Sequence, residues 1–234
     1  MHTNAAHHHQ EEHFEQSQTV RDIVIGMADG LTVPFALAAG LSGAVSNNDI
    51  IVTAGLAEIV AGSIAMGLGG YLAGKTEIEH YDSELKREYD EIITHYDTER
   101  NEVKEIFADY GLSPASQELI MCEMEKDHDK WVEFMMRFEL GLEKPDIHRA
   151  RKSALNIGLA YIVGGIVPLM AYVFTEMPHE GLVYSSIITV ACLLFFGYFK
   201  SKATGQHPVK GAFQTSLIGI LAAAAAYSIG MLFT

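Results

Sequence analysis

Five stretches of almost unbroken apolar residues, at positions 23–45, 50–73, 154–174, 182–199 and 211–234, alternate with polar intervals along the chain. Each has the roughly 18 to 25 residues that a helix needs to cross a hydrocarbon core. The pattern therefore predicts an all-α membrane protein with five transmembrane helices. The long polar interval between the second and third spans predicts an inserted cytosolic helical domain. The domains expected are a disordered amino-terminal tail at 1–19, transmembrane helices one and two within 20–74, an acidic metal-binding domain at 75–146, and transmembrane helices three to five within 147–234.

The first apolar stretch contains Asp29 and Pro34 and lacks a small-residue cleavage site, so it reads as a retained span and not as a signal peptide. Five spans put the tail, the inserted domain and the 200–210 loop on one side. All 16 Lys and Arg fall on that side, and Arg21, Lys75, Arg149, Arg151, Lys152, Lys200, Lys202 and Lys210 flank spans. The positive-inside rule makes it the cytosol and puts the carboxyl terminus across the membrane. Overall composition adds little, because 49% hydrophobic residues average two very different kinds of segment. Cys122 and Cys192 form neither a disulfide framework nor a zinc pattern, and His7 to His9 is an isolated triplet in the tail.

From Lys75 to Tyr110 no Gly or Pro interrupts a run rich in Glu, Lys, Arg and Leu, which predicts that the second span continues into the cytosol as one helix of about 50 Å. Leu85, Tyr89, Ile92, Tyr96, Val103, Phe107 and Tyr110 share one face and require a cover. Gly111 stops this helix, Ser113 and Pro114 start the next, and Gly141 with Pro145 ends the region. Residues 115–140 form one helix, or two broken near Asp127 to Asp129. Leu119, Met124, Trp131, Phe134, Met135 and Phe138 are the expected cover.

Residues 75–153 hold 21 Asp and Glu against 12 Lys and Arg. Such a balance is ordinarily a solvated face. The spacing argues otherwise, because Glu88, Glu91, His95, Glu99 and Glu102 fall within about 80° of one helix face. Like charges at these intervals lower helix stability by about a few tenths of a kcal/mol per pair unless a cation sits among them. Met135 and Glu139, one turn apart on a covering helix, extend the ligand set. Carboxylates alone suit calcium, magnesium or manganese, and a thioether shifts the preference toward ferrous iron. An EF-hand loop is absent from the sequence. A ferritin-like di-iron centre wants Glu-x-x-His on two helices, whereas the pairs here are Glu88-x-x-Glu91 and Glu99-x-x-Glu102. A membrane-anchored iron-binding or ferroxidase protein is therefore the alternative reading, behind a binding site that serves transport.

Asp29 and Glu58 are carboxylates well inside apolar spans, where each costs about 2.5 to 3.5 kcal/mol at a helix centre. Such residues ordinarily line a pathway. Counting from the cytoplasmic ends puts Asp29 and Met66 both about 13 Å deep and Glu58 about 25 Å deep. The first two predict a joint site and Glu58 a position beyond it. Small residues of span two, among them Gly55, Gly62 and Gly70, permit close helix approach, and Pro34 leaves polar backbone near Asp29.

At these residues the chain resembles the vacuolar iron transporter family. The matching stretches are Asp29-Gly30-Leu31-Thr32-Val33-Pro34-Phe35, and Ala57-Glu58 through Ala61-Gly62-Ser63 to Met66 and Gly70-Tyr71. The acidic insertion is similar to that of the plant-type members. The resemblance implies proton-coupled export of ferrous iron from the cytosol into the vacuole by a homodimer, with the pathway between the two copies of span one. It implies that Asp29, Glu58 and Met66 serve translocation, and that Glu88, Glu91, Glu99, Glu102, Met135 and Glu139 form the cytosolic metal site. The partners it implies are divalent ions (Fe2+, with Mn2+, Zn2+ and Co2+ as further cargo), protons, membrane lipid and a second copy. No enzymatic activity, prosthetic group or nucleic-acid partner is expected.

Overall fold

The computed structural model describes the backbone of residues 5–233 and the side chains of residues 18–232. The expectations for the amino-terminal tail, including the His7 to His9 run, lie outside the residues described in full. The described elements are helical throughout: α1 (Ala5–Ser42), α2 (Asn48–Thr94), α3 (Tyr96–Asp109), α4 (Pro114–Met124), α5 (His128–Phe138), α6 (Arg149–Val173), α7 (Pro178–Ala203) and α8 (Pro208–Gly230), followed by a short 3-10 turn. Proline opens α4, α7 and α8, where its missing N–H has no helical partner to lose. Five helices, namely α1 from Gln18 onward, α2, α6, α7 and α8, are long and apolar enough to cross a membrane. The chain divides into two compact units, 1–72 with 150–234, and 73–149, and α2 contributes to both.

In the first unit α1 packs against α7 and α8, and α7 against α8. Ala38 of α1, Ile51 and Ile59 of α2, and Leu169 and Tyr172 of α6 form one buried cluster. Large apolar side chains such as Leu56, Ile64, Phe195 and Leu221 remain exposed, which suits helices bathed in lipid. Helices α1 and α6 approach closely. A Cβ added at Gly26 or Gly30 would overlap the carbonyl oxygens of Ile157 or Tyr161, so the four-residue glycine spacing lets the two backbones touch. Helix α1 runs on through Pro34.

The second unit corrects one expectation. The helix predicted to run to Tyr110 stops at Thr94, and α3 starts at Tyr96. The apolar seam survives the break. Ile92 and Val103 are fully buried with Met121, Trp131, Val132, Met135 and Met136, and Leu85, Tyr89, Phe107, Met124 and Phe134 pack around them. Tyr110 and Leu119 are largely exposed and Phe138 is half exposed, while Met121, Val132 and Met136 join the buried core. Residues 115–140 make two helices, α4 and α5, with the Asp127 carboxylate accepting from the Lys130 amide at 3.3 Å to cap the second. Ser113 caps α4 through the Ser116 amide at 3.3 Å, as its spacing predicts. Gly111 and Gly141 take φ of +82° and +64°, the left-handed conformation that ends a helix without strain only at glycine.

Candidate metal centre and membrane carboxylates

The break at His95 determines the geometry of the acidic stripe. His95 leaves the helix at φ −125° and ψ 31°, its amide still bonded to the Glu91 carbonyl at 2.7 Å, and its own carbonyl accepts from Thr98 and Glu99 to begin α3. The residues on either side favour a stop: the Thr94 hydroxyl bonds back to the Asp90 carbonyl and meets the His95 ring nitrogen at 2.9 Å. The repulsion along a continuous stripe is thereby relieved as a line and concentrated as a cluster. Glu88 and Glu91 approach from α2, Glu99 and Glu102 from α3, and Glu139 from the end of α5. His95 itself is exposed and turned to Thr94.

Glu88, Glu99 and Glu139 each offer a carboxylate oxygen within 4.8 Å of the others. Glu88 and Glu99 are 1% and 4% exposed, and one oxygen of each has no hydrogen-bond partner. A buried acceptor left without a donor costs about 1 to 3 kcal/mol, so the arrangement calls for protons or a cation. Burial, then Glu139 and Glu91, push the Glu88 carboxyl up to about 7 against the pull of Arg87. Burial, then Glu102 and Glu88, push Glu99 up to about 7. Glu102 is raised by burial and then by Glu91 and Glu105, and Glu139 by burial and then by Glu102 and Glu91. All five glutamates thus lie within electrostatic reach of one another. An all-oxygen set of this kind suits a divalent ion.

Met135 is fully buried in the apolar core of this unit, and its carbonyl accepts the Glu139 amide at 3.0 Å. Its backbone thus positions Glu139, while its thioether belongs to the packed core. Arg87 escapes a reading based on carboxylate spacing. It pairs with Glu84 at 2.7 Å, Glu91 at 3.4 Å and Glu88 at 3.9 Å.

In the first unit Glu58 accepts a hydrogen bond from the Tyr161 hydroxyl of α6, and its other oxygen is buried without a partner. Tyr161 is 2% exposed and lies against Gly62, one turn along α2 from Glu58. Its backbone contacts Gly30, the neighbour of Asp29. One residue therefore bonds Glu58 directly and packs beside the neighbour of Asp29. Glu58, Gly62 and Met66 recur every four residues and line one stripe of α2. Met66 and Asp29 are both half-buried. A tyrosine inside an apolar span, whose hydroxyl must find a partner, was the available sequence signal for Tyr161.

The VIT family model matches residues 20–231, which include residues of both units. Vacuolar iron transporter 1 of Oryza sativa subsp. japonica is 51% identical, over 97% of this chain and 90% of its own. Vacuolar iron transporter 1 of Arabidopsis thaliana is 50% identical, over 95% of this chain and 89% of its own. Protein CCC1 of Saccharomyces cerevisiae is 34% identical, over 92% of this chain and 69% of its own.

Proposed function

This chain belongs to the VIT family, and from that premise we propose that it is a multi-pass vacuolar membrane carrier moving ferrous iron from the cytosol into the vacuole in exchange for protons. Manganese and other divalent ions are secondary cargo, and the working unit is a homodimer. The observation that carries the reading is the cluster of Glu88, Glu99 and Glu139, whose carboxylate oxygens converge while two of them are buried and unpartnered. In this reading the second unit is cytosolic and collects the ion, with Glu91 and Glu102 completing the charge and the Met135 backbone holding Glu139 in place. Loading the site displaces the protons that Glu88 and Glu99 hold near neutral pH.

Asp29 and Met66 take the ion inside the membrane, where a carboxylate compensates the charge of a dehydrated cation. A second copy doubles these donors, since one carboxylate and one thioether are too few to hold a dication. Glu58, tied to Tyr161, exchanges the counter-transported proton on the vacuolar side. A ferroxidase reading is less favoured, because the converging group consists of glutamates, and His95 is turned away from it.

The test is initial-rate uptake of ferrous iron by proteoliposomes under an imposed pH gradient. Uptake that rises with the gradient and collapses when it is dissipated is expected. Iron-dependent oxygen consumption without uptake would favour the oxidase instead.

A further inference from the structure

We propose that Arg87 is a built-in counter-cation of the glutamate cluster, competing with the divalent ion for Glu88 and Glu91 and so holding the affinity low enough for the ion to be passed on. The proposal rests on reading the cluster as a metal site. Arg87 lies on α2 beside its targets: Nε is 3.4 Å from a Glu91 oxygen, and Nη2 is 3.9 Å from Glu88 and 2.7 Å from Glu84. Its charge also reaches Glu139. Other basic side chains of the unit are engaged elsewhere: Arg100 on Glu118 and Glu125, Lys104 on Glu118, Lys126 on Glu123, and Lys130 on Asp127.

Glu84 explains how the competition resolves. It sits three residues before Arg87, it lies outside the converging group, and it makes the shortest of the three pairs. When an ion takes Glu88 and Glu91, Arg87 keeps Glu84 and stays near enough to repel the ion. Arg87 is half exposed, so this shift needs no repacking. A guanidinium so close to a dication weakens its binding through simple Coulomb repulsion, damped by solvent and salt.

The experiment is calorimetric titration of the full chain in detergent with manganese, at low ionic strength, for the parent and three variants. Arg87→Gln should tighten binding about tenfold, and the gain should shrink in high salt. Arg87→Lys keeps the charge but loses the planar fork, and should stay within about threefold of the parent. Glu99→Gln should weaken binding. If Glu99→Gln weakens binding but Arg87→Gln leaves it unchanged or also weakens it, Arg87 is no competitor and the metal site stands without it. If Arg87→Lys tightens binding as much as Arg87→Gln, the fork and not the charge is responsible, and the proposal fails. Unchanged binding by Glu99→Gln removes the metal site and this proposal with it.

Discussion

The second unit and the first treat the same chemical problem, buried carboxylates, in opposite ways. In the second, three carboxylates converge within 4.8 Å, and two have oxygens with nothing to accept from. In the first, Glu58 and Asp29 sit on different helices, and Glu58 has a donor of its own in Tyr161. The crowded site gains most from a cation and is suited to capture. The dilute pair, buffered by a hydroxyl, can lose an ion without leaving an array of repelling charges, and is suited to passage. Capture and passage should therefore separate under mutation.

The largest effect is expected from Asp29→Asn. It keeps size and span hydrophobicity but removes the charge that compensates a dehydrated cation, so iron uptake by proteoliposomes should fall to the level of empty vesicles. Manganese binding at the glutamate cluster should be unchanged in the same variant, because the cluster lies in the other unit. Loss of both would break the comparison.

Next comes the cluster itself. Glu88→Gln or Glu99→Gln should weaken metal binding about ten- to a hundredfold, with uptake impaired at low iron and recovering at high iron. The pH dependence has a definite sign. Glu88 and Glu99 rise from an ordinary value of 4.5 to about 7 in the fold, so they hold protons that the unfolded chain has already released. Their favourable share of stability is full at acid pH and is lost as pH rises through about 7. The metal-free second unit should thus melt at a lower temperature at about pH 8 than at about pH 5, and metal should reverse the order. Trp131, the single tryptophan, is buried in that unit's core and reports its unfolding by fluorescence.

Much of this contrast was legible in the residues. The apolar runs located the spans, Ser113 and Pro114 located the start of α4, and the intervals between Glu88 and Glu102 singled out the glutamates. The break at His95 was not legible, because no Gly or Pro marks it: the Thr94 hydroxyl turned back to the Asp90 carbonyl and the crowding of like charges favour a bend there, and neither stands out in a run of good helix formers. Tyr161 and Arg87 were missed for a related reason. Spacing along one helix shows which residues share its face, but not which side chain arrives from another helix, as Tyr161 does, or which cation sits among the acids, as Arg87 does. The glycines at 26 and 30 became informative only once α6 lay against them.

A smaller effect is expected at the pair that shares a proton. Glu58→Gln should leave uptake measurable but weaken its dependence on the pH gradient, since the amide neither binds nor releases a proton in this range. Tyr161→Phe removes the hydroxyl donor and leaves a buried carboxylate without its partner. It should slow uptake less than Glu58→Gln and shift the pH of half-maximal rate. An identical loss in both variants, with the gradient dependence intact, would assign the pair a purely structural role.

The smallest and most selective effect is expected from Met66→Leu. The two side chains have similar volume, so a half-buried position on α2 tolerates the exchange, and expression should be retained. What is lost is the thioether, a donor that favours ferrous iron over harder ions. The ratio of iron to manganese uptake should therefore fall several-fold, while the rate for manganese changes little. Metal binding by the second unit, whose converging donors are oxygens, should keep its parent ratio. Selectivity would then reside with the passage site and affinity with the capture site. Equal loss of both ions would keep Met66 in the pathway as a packing element and return selectivity to the glutamate cluster.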